Sequence, residues 1–206
     1  MLKSMAMGGA VVSMLAVTVL AAPAAAQVAA PDDVRVQVVT VNGSGCPAGA
    51  GTAVLSADRE FVTVTSPAYF AQAGGTARPI DFRRNCQFSV QVTRPAGWTF
   101  AVSEVQSSGY AFLAAGATGV SRVSFYFQGF TPTTARTNTF EGPWADAWRT
   151  TDTIEPAART FLPCGAQRNL NVNTELRVLR DAANPSVSSF MVRGEQTGLR
   201  LTWREC

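Results

Sequence analysis

The residues best suited to chemistry fall in one short run, Glu141-Gly142-Pro143-Trp144-Ala145-Asp146-Ala147-Trp148. Two indoles four residues apart, with two carboxylates beside them, can form an aromatic platform with polar partners. A sugar ring offers apolar C–H faces to an indole and hydroxyl hydrogens to a carboxylate. Trp144, Trp148, Glu141 and Asp146 are therefore the candidate ligand-binding residues. The two acids would serve glycan cleavage only across a cleft, with their carboxyl groups about 5 to 9.5 Å apart. Trp is also highly buried on average, and the two indoles can equally cover the open edge of a core.

Other charged groups have simpler roles open to them. Arg83-Arg84 can receive an anion through bidentate hydrogen bonds or pair with Asp81 and a neighbouring strand. Asp58, Glu60 and Asp32-Asp33 carry oxygens of the kind calcium takes in extracellular modules. No loop has the D-x-D-x-D-G order, so these acids are expected to be exposed turn residues. Asn42-Gly43-Ser44 matches a glycosylation acceptor and also suits a tight turn.

The chain contains no histidine. That removes Ser-His-Asp and Cys-His catalysis, the usual His-containing zinc sites and a histidine pH switch. No catalytic residue is assigned, and no metal or cofactor is expected.

The N-terminus predicts export. Lys3 precedes an uncharged apolar run, Ala10 to Ala22, followed by Pro23 and Ala24-Ala25-Ala26. This is the order of a secretory signal with cleavage after Ala26. The run is short of the ~20 residues a spanning helix needs, and no membrane span is expected after signal removal. Residues 27–206 then form a single domain of ordinary size. That domain would hold sixteen arginines, no lysine and fourteen acids, for a charge of about +2. Arginines so scattered make no electrostatic case for nucleic acid.

Cys46, Cys86, Cys164 and Cys206 are an even set in an exported chain, which implies disulfides. Three connectivities are open. The favoured one is Cys46–Cys86 with Cys164–Cys206, because each pair brackets a few strands that can lie adjacent. A bridge at Cys206 would also pin an end prone to fray. Closing a loop of ~40 residues stabilises by roughly 4 kcal/mol in the chain-entropy model.

The elements that must position these groups are strands. Apolar residues alternate with polar ones in 87–93 (Phe88, Val90, Val92), 122–128 (Val123, Phe125, Phe127), 170–178 (Leu170, Val172, Leu176, Val178) and 199–204 (Leu199, Leu201, Trp203). A period of two marks half-buried strands. Further strands are expected at 34–41, 52–56, 60–65, 98–105, 110–114 and 186–192. The phase change at Val38-Val39 suggests a bulge. Gly129–Pro163 alternates poorly and is expected to be a long connection with one or two short strands. No amphipathic helix of a dozen residues appears. Many short strands punctuated by Gly and Pro turns predict an all-β sandwich or barrel.

Several stretches together carry a family resemblance. They are Gly43-Ser44-Gly45-Cys46-Pro47-Ala48-Gly49, Arg84-Asn85-Cys86-Gln87, Pro95-Ala96-Gly97-Trp98-Thr99-Phe100, Pro163-Cys164-Gly165 and the closing Leu201-Thr202-Trp203-Arg204-Glu205-Cys206. From about Pro31 to Cys206 the chain resembles the domain of unknown function 4360 family of small exported microbial proteins. Ser107-Ser108 stands where that family usually has a charged pair before the Gly-Tyr step. The resemblance implies a secreted β-sandwich and no established activity. The fold expected is thus all-β, an antiparallel β-sandwich, jelly-roll-like, with two disulfides.

The function expected is a secreted, non-catalytic, monomeric domain that binds a polysaccharide or another extracellular or cell-envelope ligand. Two alternatives are a carboxylate-dependent glycan-active enzyme and an inhibitor of secreted hydrolases that presents a rigid loop.

Overall fold

The computed structural model describes residues 28–206, and the expected signal segment lies outside them. Eleven strands are present among the described residues: β1 (Arg35–Asn42), β2 (Thr52–Leu55), β3 (Phe61–Thr65), β4 (Tyr69–Ala73), β5 (Arg83–Thr93), β6 (Trp98–Leu113), β7 (Thr118–Phe127), β8 (Thr134–Glu141), β9 (Trp144–Thr153), β10 (Leu170–Leu179) and β11 (Ser189–Glu205). Single 3-10 turns at Pro79–Phe82 and Pro156–Ala158 interrupt them.

The strands form two antiparallel sheets. The first runs β1-β5-β10-β7-β8, and the second runs β2-β3-β11-β6-β9. Strand β4 follows β3 along the same side of β11, pairing Ser189–Arg193 while β3 pairs Gln196–Arg200. Connections pass repeatedly between the sheets, as in a jelly roll. The alternating residues close the space between them. Phe88, Val90, Val172 and Leu176 face in from the first sheet, and Val62, Phe100, Leu199 and Leu201 from the second. Phe100 sits at the centre, edge-on to Phe127 at 5.3 Å and against Trp203 at 5.4 Å. Truncating such a ring to Ala costs about 3–5 kcal/mol, because the cavity cannot fully collapse.

Both disulfides adopt the favoured pairing. Cys46–Cys86 has a Cα separation of 5.5 Å and Cys164–Cys206 one of 5.7 Å, ordinary spans for the bond. The first is buried and ties the loop after β1 to β5. The second is exposed and ties the end of β11 to the loop before β10. The bulge in β1 falls at Val39, between the Val38 and Thr40 pairings.

Three expectations need correction. Gly129–Pro163 is not a long connection, since it holds two full strands, β8 and β9. Both are sheet edges with much of their length exposed, so their inward positions need not be apolar and the alternation is weak. The segments expected at 98–105 and 110–114 are one strand, β6, and those at 186–192 and 199–204 are one strand, β11. Register shifts between Arg193 and Thr197 and between Arg200 and Leu201 let these long partners stay paired. Strand β4 had no strand expectation at all. It is five residues long, Tyr69-Phe70-Ala71-Gln72-Ala73, with apolar residues on both parities and no apolar/polar alternation over its first three positions.

One feature of the core departs from simple patterning. Arg193 on β11 is fully buried between the sheets. Its guanidinium donates to the Ser121 hydroxyl at 3.0 Å, to Ser107 at 2.7 Å and to Thr197 at 3.0 Å. Burial pushes its pKa down from the ordinary guanidinium value. Three hydroxyl acceptors, without a carboxylate, hold it in place.

Candidate ligand-binding face

The run from Glu141 to Trp148 closes one edge of the sandwich. Trp148 on β9 is 3% exposed and opposes Gly109 on β6 in register. A Cβ at Gly109 would meet the indole at 2.5 Å, so glycine is what lets the ring lie across β6. Phe140 of β8 packs on Trp148 at 5.4 Å and on Trp144 at 5.5 Å. Trp144 is half-buried, and its indole N–H donates to the Asp146 carbonyl at 3.1 Å. The structure therefore gathers both indoles around Phe140, and Trp148 has no free ring face for a ligand. Glu141 is exposed and accepts from the Thr118 hydroxyl at 2.9 Å. Asp146 is exposed and accepts from the Ala147 amide at 2.6 Å. Glu141 sits in the first sheet and Asp146 in the second.

The other charged candidates are engaged with neighbours. Arg84 pairs with the buried Asp81 at 2.6 Å, and Arg83 Nε donates to the buried Glu175 at 2.7 Å. Asp32 pairs with Arg59 at 3.0 Å and Glu60 with Arg200 at 2.9 Å. Asp58 accepts from the Ser56 hydroxyl and the Glu60 amide. Among the described residues, no group of three acids or cysteines is placed to hold a metal ion.

A larger feature lies on the outer face of the second sheet. Strand register places side chains there in rows. One row reads Gln72 (β4), Phe190 (β11), Phe112 (β6) and Ala145 (β9). The next reads Phe70, Val192, Tyr110 and Ala147. Phe70, Tyr110 and Phe112 are 53%, 41% and 44% exposed. The Phe190 ring runs nearly parallel to Phe112 at 5.7 Å and to Tyr110 at 6.3 Å. The alanines on β9 add nothing tall, so this aromatic surface lies open toward the β9 edge.

Further along the same face the rows become polar. Ser108 opposes Arg149, and Gln106 lies between Gly198 and Thr151. Glycine at 198 leaves a depression of about 180 Å³, lined by Phe61, Thr63, Gln106, Ser108, Arg149 and Gln196. A Cβ at Gly198 would crowd the Phe61 ring at 3.2 Å. The row after that holds Phe61, Arg200 and Glu104. Arg200 lies over the Phe61 ring at 4.6 Å. A wider cleft of about 650 Å³ follows, with Glu104, Arg159, Phe161, Arg200 and Arg204 in its wall. From Phe112 to Glu104 the face spans eight residues of β6, or about 27 Å at the usual strand rise.

None of Phe70, Tyr110, Phe112, Phe190 or the glycine-floored depression was expected as a site. A signal was present. Inward positions on β11 are set by Leu199, Leu201 and Trp203, and the same parity carried back puts Arg193 inside and Phe190 outside. The general rule that large apolar residues face inward points the other way.

Fold and face together define a disulfide-braced jelly-roll β-sandwich with an aromatic outer surface. The family model described as Domain of unknown function (DUF4360) matches residues 32–206, and the chain belongs to that family. It is 31% identical over 179 residues to an "Uncharacterized secreted protein" of Arthroderma benhamiae, covering 85% of this chain and 73% of that protein. With its two disulfides and this secreted relative, the protein is a secreted one. Among solved structures, the carbohydrate-binding module TmCBM61 in complex with β-1,4-galactotriose aligns at 12% identity. The alignment covers 85% of this chain and 90% of that one, with a TM-score of 0.27. A Broad Bean Stain Virus structure aligns at 10% identity, 66% and 86% coverage and a TM-score of 0.28. Scores this low carry no functional argument.

Proposed function

We propose that the protein is a non-catalytic binding module for an extended extracellular or cell-envelope polysaccharide, held along the outer face of the second sheet. The observation that carries this is the exposed aromatic surface of Phe70, Tyr110 and Phe112 with the half-buried Phe190 between them, which runs directly into a polar depression. Soluble monomers rarely leave a contiguous apolar patch open unless something binds there. Aromatic side chains take the C–H faces of sugar rings, and the Gln106, Gln196, Thr63 and Ser108 side chains offer partners for hydroxyls. A purely apolar partner would leave those groups unpaired at a cost. The face is also long and open, which suits a chain better than a single small molecule.

The test is co-sedimentation with insoluble polysaccharides and cell-wall material. The native protein should be retained by at least one of them, and the Tyr110→Ala, Phe112→Ala double variant should not. Retention that is unchanged in the double variant would sink the proposal. So would sedimentation of the native protein as a stable dimer that the double variant converts to monomer, since the rings would then be covered by a second copy.

A further inference from the structure

We infer that the polysaccharide this face takes is an acidic one, with carboxylate-bearing sugars read by the arginines beyond the aromatic surface; this rests on the binding function proposed above. Four guanidinium groups border the polar half of the face: Arg149 at the depression, and Arg159, Arg200 and Arg204 at the wider cleft. Three carboxylates share that stretch, and one of them, Asp58, bonded to the Ser56 hydroxyl and the Glu60 amide, also feels Arg200. Glu60 is paired with Arg200 at 2.9 Å, and Glu104 accepts from the Gln106 amide at 2.8 Å. Arg149, Arg159 and Arg204 form no ion pair among the described residues.

Arg159 and Arg204 are held ready rather than neutralised. Arg159 is anchored by its Nε, which donates to the Ile154 carbonyl at 2.9 Å, leaving its terminal nitrogens unengaged. Arg204 is laid over the Phe161 ring at 4.1 Å, which fixes the plane of the guanidinium while its N–H edge stays open. A planar guanidinium with a free edge matches a carboxylate bidentately. Arg149 stands on β9 and Arg204 near the end of β11, so the positive groups are spaced along the face rather than clustered at one point. Spacing of that kind suits a polymer with recurring charge, where weak contacts reinforce one another. On the first sheet, Arg83 and Arg177 are both taken up by Glu175.

The experiment compares polygalacturonate with its fully methyl-esterified form, two polymers with one backbone and different charge, by affinity gel electrophoresis. The native protein should bind the free acid about tenfold more tightly at low salt, the sum expected of three exposed ion pairs. The preference should disappear near 1 M salt, where charges are screened within ~3 Å. The Arg149→Gln, Arg159→Gln, Arg204→Gln variant should bind the two forms alike. Equal binding of both forms by the native protein overturns the inference and leaves the polysaccharide function standing. A preference that survives in the triple variant overturns it as well. Polyglutamate bound as tightly as polygalacturonate would also overturn it, because charge without sugar would then suffice. Binding that survives Tyr110→Ala, Phe112→Ala is the separate result that would remove the underlying function.

Discussion

The two outer faces of the sandwich differ in what they leave open: the first carries an ion-pair network and the second a set of exposed rings. On the first sheet, register lines up Asn85 with Glu175 and Arg122, Gln87 with Asn173 and Ser124, and Ser89 with Asn171 and Tyr126. Part of this set pairs internally: Glu175 takes both Arg83 and Arg177, Asn85 donates to Asn173 at 3.4 Å, and Asn169 donates to Ser89 at 3.0 Å. On the second sheet, aromatic rings stand exposed and three arginines lack anionic partners. The first face holds an ion-pair network around Glu175 and no exposed aromatic ring among the described residues of its strands, and the second leaves rings open beside arginines that have no anionic partner. Open rings beside such guanidinium groups are what a ligand needs, and an internal ion-pair network is what stability needs. The contrast predicts that substitutions on the first face move stability without moving binding, and that those on the second do the reverse.

The largest expected effect comes from removing the buried bridge that braces the first sheet. The Cys46→Ser, Cys86→Ser variant should lose roughly 4 kcal/mol, as expected for a loop of 40 residues. That corresponds to a fall in Tm on the order of 10 °C for a domain of this size. Calorimetry checks it, and at a temperature where the variant is folded its retention on polysaccharide should match the native protein. The exposed Cys164–Cys206 bridge should open first under mild reductant, since reagent reaches it directly. Peptide mapping after partial reduction reads the order, and prior loss of Cys46–Cys86 would contradict it.

A smaller effect is expected at Glu175. Burial pushes its carboxyl pKa up, but the hydrogen bonds and charges of Arg83 and Arg177 outweigh that and leave it below the usual Glu value of 4.5. Asp81 is held low in the same sense, by the Arg78 hydrogen bond against burial, with Arg84 adding to it. A carboxyl lowered on folding contributes its full stabilisation above its unfolded value and loses it as pH falls through the folded one. Stability should therefore drop as the pH goes below about 4.5. Glu175→Gln should cost about 1.5–3 kcal/mol near neutral pH, the usual worth of hydrogen bonds to a charged group. It should also flatten the acid limb of Tm against pH. An acid limb as steep as in the native protein would show that Glu175 is not its source.

Much of this architecture is legible in the sequence, for a physical reason. Strands β5, β7 and β10 are central, solvated on one face and packed on the other, so Phe88-Ser89-Val90 or Leu170-Asn171-Val172 betrays them at once. The cysteines add the brace. Edge strands are not under that constraint, and the alternation in β8 and β9 predicts only one or two short strands in a long connection, because neither buries a full face. The aromatic surface was hidden for the opposite reason. In Tyr110-Ala111-Phe112-Leu113 both parities are apolar, and small Ala111 is the one that turns inward. In Phe190-Met191-Val192-Arg193 the pattern is reversed outright, with the arginine buried and the ring outside. Ser107, Ser121 and Thr197 make the reversal tolerable, and they come from three different strands. No local window contains that information. The Trp144 and Trp148 run drew attention because of its composition, but Phe140, on a strand not recognised as one, is what decides where those indoles go.

The smallest expected change in stability belongs to the substitution with the clearest expected change in binding. Tyr110 and Phe112 are each partly open to water, and what they give the fold is mainly their contacts with Phe190. An aromatic pair of that kind contributes about 0.5–1.5 kcal/mol when well packed, and less where solvent reaches both rings. Tyr110→Ala, Phe112→Ala should therefore lower Tm by only a few degrees while abolishing retention on polysaccharide. Phe100→Ala, ten residues before Tyr110 on the inner side of β6, should do the opposite. It should cost about 3–5 kcal/mol and leave retention intact wherever the protein remains folded. If the outer pair destabilises the fold as much as the inner ring does, the outer aromatics are part of the core by another route. The two faces would then differ in composition but not in purpose.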